Sequence, residues 1–198
     1  EINNQEYDVK ITKGFFSEKP EIGESNKGSE KPYFRLTREL YMGYERNFSS
    51  RGMYSGQQEY YEEKNRTFKY LDEGNYKHNR FYLNGLWTNA EESIIHERET
   101  DIFEDYIALR FLAKSVNVVS DPNQSKFIAY IELNDKFLNN DSAGEDILFD
   151  EIGRSFIKVT EPKMYSLIIL PERGEHVLKI YSKQKEIVDE FSLLYNYT

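Results

Sequence analysis

The stretch over residues 106–119, YIALRFLAKSVNVV, limits what this chain can fold into more than any other. Ile107, Leu109 and Phe111 fall on one side of an extended strand, and Ala108, Arg110 and Leu112 on the other. That period of two marks a strand with one face in a core. Lys114-Ser115 reads as a short break, after which Val116, Val118 and Val119 supply a second, β-branched strand ended by Asp121-Pro122-Asn123. Similar short runs follow over residues 126–132, 147–149, 156–159, 164–170, 177–181 and 187–195, with a hairpin around Asn134-Asp135-Lys136. Upstream, residues 67–71, 80–88 and 92–97 read as strands, with a turn at Asp72-Glu73-Gly74-Asn75. Residues 36–45 can make one short helical turn opened by Thr37 as cap, and nothing reads as an amphipathic helix of full length. The fold class expected is all-β, an antiparallel β-sandwich or jelly roll.

A chain of 198 residues can bury one sizeable core. Residues 1–36 read as an N-terminal extended arm or linker, with one strand over 7–12 and a polar stretch over 17–32. Residues 37–66 read as a segment wrapping the sandwich, anchored by Leu40, Tyr41, Tyr44 and Tyr54, and residues 67–198 as the sandwich itself. Leu109, Phe111, Val118, Ile131, Leu167, Leu178, Ile180 and Phe191 are its expected core.

Charge and composition then remove classes of function. A net charge of -9 argues against nucleic acid or an anionic membrane surface as partner, since both select a basic footprint. The chain has no cysteine, so it carries no disulfide, thiolate nucleophile or thiolate metal site. No apolar run approaches the ~18 residues that span a bilayer. The start at Glu1, without a leader, suggests a processed or trimmed chain. Asn47, Asn65, Asn123, Asn140 and Asn196 each open an N-x-[ST] sequon, so they are glycosylation candidates and favour a location outside the cytoplasm.

Two kinds of residue invite a binding role. The indole of Trp87 can stack on a sugar or fill the core, and core packing is the preferred reading. Tyr41 and Tyr44, with Tyr54, Tyr60 and Tyr61, can line a sugar platform or anchor the wrapping segment, and anchoring is preferred. The acidic groups around Asp101, Glu104 and Asp105, around Asp141, Glu145 and Asp146, and at Asp150 and Glu151 read as solvated loops. His78, His96 and His176 lack zinc-site spacing and read as structural. No phosphate loop, nucleophile elbow or dinucleotide fingerprint is present, so no enzyme is expected.

An ordered set of short motifs carries a family resemblance. LNGLW at 83–87, Glu92, IALRFLAKSVNVV, AGED at 143–146, EPKMYSL at 161–167 and GEHVL at 174–178 with Phe191 resemble the C-terminal domain that follows the thioredoxin-like domain in DipZ-type thiol:disulfide interchange proteins. TRELYMGY at 37–44 is similar to the motif that precedes that domain, with Arg38 where proline is usual. The resemblance implies a carbohydrate-binding-module-like jelly roll in an extracytoplasmic thioredoxin-like protein. This chain would be its non-catalytic accessory module, with a polysaccharide or protein partner. The alternative is a structural or interaction subunit of an envelope assembly.

Jelly-roll carbohydrate modules often hold a structural calcium between acids near the first and last strands, and Glu92 with Asp189 resembles that pair. No other cofactor is implied. If calcium is held there, excess chelator should lower the melting temperature by several degrees, as loss of a native-state ligand does. An unchanged melt would leave Glu92 and Asp189 as ordinary surface charges.

Overall fold

Two long antiparallel strands form the spine of the protein in its computed structural model, which describes residues 37–46, 48–49, 52–100, 103–122, 126–182 and 192–194. The chain divides into two units, Glu1–Tyr33 and Phe34–Thr198, and every described residue belongs to the second. The expected strand over 7–12, the polar stretch over 17–32 and the expected core residue Phe191 lie outside the described residues.

In chain order the elements begin with β1 (Phe48–Ser49), β2 (Gly52–Met53), α1 (Glu59–Glu62), β3 (Thr67–Tyr70), β4 (Phe81–Asn89) and β5 (Ile94–His96). The long β6 (Asp105–Ser120), β7 (Phe127–Leu133), β8 (Lys136–Phe137), β9 (Leu148–Phe149) and β10 (Ser155–Val159) follow. The last are the long β11 (Lys163–Ser182) and β12 (Ser192–Leu194). The main sheet runs β3-β4-β6-β11-β7-β10-β9, with β5 on β4, β8 on β7 and β12 on β6. All of these strand pairings are antiparallel, and the chain is an all-β sandwich as its alternation predicts.

The expected break at Lys114-Ser115 is a change of phase within one strand. Before it the core side of β6 carries Ile107, Leu109, Phe111 and Ala113, all buried; after it Val116, Val118 and Ser120 are buried one position out of that phase. A one-residue slip exchanges the two faces of a strand, so the partner must absorb it. β11 does so twice. Its register steps from Ser166 opposite Asn117 to Ile168 opposite Val116, then from Ile169 opposite Ser115 to Gly174 opposite Ala113. These bulges keep the ladder continuous, so the two strands expected over 164–170 and 177–181 are one. The other edge of β6 changes neighbour as well, from β4 beside residues 106–109 to β12 beside residues 117–119.

On the inner face Leu83, Ile107 and Ile180 lie across from one another, and beyond them Ile131 and Ile157 are buried too. The other expected core residues, Leu109, Phe111, Val118, Leu167 and Leu178, are buried as well. Residues 37–66 add Leu40, Met42, Tyr54 and Tyr60 to the same core. Tyr60, on the four-residue α1, sets its ring edge-on to Phe81 at 5.2 Å.

The helical turn expected near Thr37 is not formed. Thr37 instead pairs with β6: its amide donates to the Leu112 carbonyl, and its hydroxyl accepts from the Leu112 amide at 2.8 Å. The chain then runs beside residues 90–92, where Gly43 has φ +92° and a Cβ would sit 2.3 Å from the Glu92 carbonyl carbon. The expected hairpin at Asn134-Asp135 is present, with φ of 53° and 59°, the left-handed pair that a two-residue turn needs.

Leu109→Ala should destabilise the fold by about 2 to 5 kcal/mol, because the leucine is fully buried. Urea denaturation measures this, and a loss below about 1 kcal/mol would contradict the assigned core face.

Candidate functional site

The outward phase of the strands that carry the core also carries rings. Asn84 on β4 lies across from Tyr106 on β6, which faces Tyr181 on β11, then Tyr130 on β7, Phe156 on β10 and Leu148 on β9. This row runs from β4 to β9, the last strand of the sheet. Tyr106, Tyr130 and Phe156 are half-buried, and Tyr181 is buried among its neighbours. Ring centroids are 5.2 Å apart for Tyr106 and Tyr181 and 5.7 Å for Tyr130 and Phe156. Phe103, just before β6, lies edge-on to Tyr130 at 4.9 Å and Tyr181 at 5.4 Å. Such edge-to-face contacts suit the ring quadrupole and fix the orientation of each ring.

Charges are arranged along this row. Arg154 lies 5.2 Å over the Tyr130 ring and pairs with Asp150 at 2.5 Å. Lys179 lies 5.2 Å over Tyr106 and pairs with Asp135. Asp72 receives the hydroxyls of Tyr76 and Tyr106 and the Gly74 amide, while Glu132 receives the Tyr181 hydroxyl at 2.9 Å. Burial first, and then the neighbouring carboxylate, raise these phenols. Tyr106 is pushed up to about 12, and Tyr76 and Tyr181 further. The face therefore presents rings and neutral hydroxyl groups beside carboxyl groups.

A second polar cluster is sealed inside. Asp105, fully buried at the start of β6, accepts from the Leu86 amide at 3.0 Å, His96 Nε2 at 2.8 Å and Arg98 Nε at 2.8 Å. Arg98 also reaches Glu104 at 2.9 Å. Gly85 makes this possible: with φ +102°, any Cβ there would lie 2.0 Å from Asp105 Cγ. The reading of Asp105 as a solvated acid is thus corrected, because the sheet encloses it. His96 is equally buried, so no substrate can touch its imidazole and the pair is structural.

The residues singled out from sequence fall elsewhere. Trp87 is 1% exposed, donates its indole N–H to the Asn84 carbonyl and packs 4.8 Å from His96, so its ring has no free face for a sugar. Tyr41 is half-buried, 5.8 Å from Tyr54, with its hydroxyl on Glu39. Tyr44 is half-buried, and its amide donates to the Ala90 carbonyl. Glu92 is exposed and pairs with Arg46 at 2.8 Å. Asn65 and Asn140 are exposed. Asp189, Asn47, Asn123 and Asn196 lie outside the described residues, and no group of acids and histidines fit to hold a metal occurs among the described ones.

Residues 37–192 match the profile of a family described as the thioredoxin like C-terminal domain. None of the curated proteins matches the chain.

Burial alone would raise the Asp105 carboxyl, but the bonds from Arg98, Leu86 and His96 outweigh it and hold the group below the usual carboxylate range. Its folded value is therefore depressed. The stability it contributes is complete above the unfolded value of about 4 and is lost as pH falls through the folded value. Asp105→Asn should lower the melting temperature at pH 7 and flatten the decline of stability below pH ~4. Equal acid sensitivity in both proteins would count against this role.

Proposed function

The chain belongs to the thioredoxin-like C-terminal domain family, and from that membership we propose that it is a non-catalytic accessory module of an extracytoplasmic, DipZ-type thioredoxin-like protein. In this reading its outer sheet face binds envelope glycans. One observation carries the glycan part: the row Tyr106, Tyr181, Tyr130 and Phe156 crosses four adjacent strands on the side away from the core. Sugar rings present C–H faces to aromatic rings and hydroxyls to carboxylates and phenols, and this face offers both within one layer. Adjacent strands stand about 4.8 Å apart, so neighbouring rings repeat at about the spacing of linked pyranose units.

The absence of cysteine assigns thiol chemistry to some other part of the system, which fits an accessory role. The exposed sequons Asn65 and Asn140 support a location outside the cytoplasm. No helix among the described residues is long and apolar enough to cross a membrane.

A second reading, a structural or interaction domain of an envelope assembly, is favoured by Leu148, Phe149 and Ile152. These apolar side chains are exposed on and just after β9, the last strand of the sheet.

Calorimetry against a panel of envelope polysaccharides tests the glycan reading. Binding should be measurable for the native chain and fall at least about tenfold for Tyr130→Ala with an unchanged fold, since one stacking ring contributes about 1.4 kcal/mol. Blanks across the panel, or equal binding by the variant, would reject the aromatic face as a glycan site.

A further inference from the structure

We propose that the aromatic face takes saccharides bearing free amino groups, with Asp72 and Glu132 receiving the ammonium beside the rings of Tyr106 and Tyr181. The inference rests on the glycan reading and adds the chemical class of the sugar. Its basis is a charge imbalance on the face. Several other acids pair with cations: Asp135 with Lys179, Asp150 with Arg154, Glu104 with Arg98, and Glu175 with Arg110. Asp72 and Glu132 do not. Their hydrogen-bond donors are the phenols of Tyr76, Tyr106 and Tyr181 and the Gly74 amide, all neutral. Among the described residues neither acid makes an ion pair, and both are half-buried. Lys179 stands across from Glu132 in register, yet its ammonium lies 2.5 Å from Asp135.

A half-buried carboxyl group served only by neutral donors has no cation of the protein's own to compensate its charge. The two acids are linked by a ring pair, since Tyr106 donates to one and Tyr181 to the other while their centroids are 5.2 Å apart. Ring faces attract cations in their own right, and two of the rings in the row already hold the protein's own. The sites left over therefore ask for a small cation attached to something that packs against rings. An amino sugar is such a group. Its ammonium makes charge-assisted bonds to the carboxylate, and its ring C–H face meets the phenol. Sugars carrying carboxylates are disfavoured, because the same acids and a net charge of -9 repel them. A basic peptide supplies the cation without the rigid ring that a row of aromatic side chains accommodates.

The test is calorimetric titration of the full chain at pH 6 with three probes: a glucosamine hexamer, its N-acetylated counterpart, and tetralysine. The glucosamine hexamer should bind about tenfold more tightly than the acetylated one, the ratio that one added charge-assisted bond supplies. Glu132→Gln and Asp72→Asn should each reduce that ratio. Equal binding of both hexamers, lost in Tyr130→Ala, would overturn the ammonium inference and leave the glycan reading standing. Tetralysine binding as tightly as the glucosamine hexamer would overturn the saccharide assignment. Binding of none of the three would overturn the inference, and the polysaccharide panel then decides the glycan reading separately. Should Asp72→Asn loosen its turn, Glu132→Gln alone decides, because the Tyr181 hydroxyl keeps an acceptor there.

Discussion

Hydrogen bonding between β6 and β11 is the constraint from which the rest of the protein follows. Because the ladder is continuous from Asp105 to Ser120, every side chain on these strands is committed to one face or the other, and neighbouring strands inherit the choice through their register. One phase packs Ile107, Leu109, Leu178 and Ile180 into the core. The opposite phase necessarily carries Tyr106, Lys179 and Tyr181. The aromatic face thus needs no scaffold of its own. Its rings stand on backbones already fixed by core packing, and a surface ordered in advance loses little entropy when a ligand settles on it.

At the end of this ladder, a charged group does the work of a strand. Asp105 satisfies the Leu86 amide with a carboxylate, and draws in His96 from the end of β5 and Arg98 from just beyond it. With His96 on β5 itself, the arrangement ties β4, β5 and β6 together at one corner. It also explains why Trp87 is inaccessible, since its indole lies against His96. Breaking a buried set of this kind leaves charge without a partner, which costs more than the set contributes relative to an apolar equivalent.

Much of the sheet is legible in the sequence because long stretches of its strands alternate. The core side chains Leu109, Phe111, Leu178 and Ile180 declare themselves by period two, and Asn134-Asp135 by turn chemistry. Lys114-Ser115 is visible as an interruption but not as a change of phase, since the residues that absorb the slip lie on β11. Thr37 misleads because a threonine oxygen that caps a helix serves equally well beside a strand amide. The outer face is recoverable only once the core phase of each strand is known. Tyr106, Tyr130, Phe156 and Tyr181 are then the aromatics left on the wrong side for packing, whereas the single Trp87 attracts notice while sitting on the core side. Asp105 is hidden by its neighbourhood, for a charge among charges resembles a solvated loop until the strands close over it.

The long ladder also sets the order in which this chain can assemble. β6 and β11 are not joined by a tight hairpin: the whole of β7, β8, β9 and β10 lies between Ser120 and Lys163. Their first hydrogen bond closes a large loop, and its entropic cost falls due before most of the core exists to offset it. The local hairpins β7–β8 and β3–β4 can form early, but neither buries the residues of the spine. Folding should therefore be slow and late-committing, with the edges of β6 unpaired until β11 arrives, and this is the interval in which the chain is most exposed to pairing with another copy of itself.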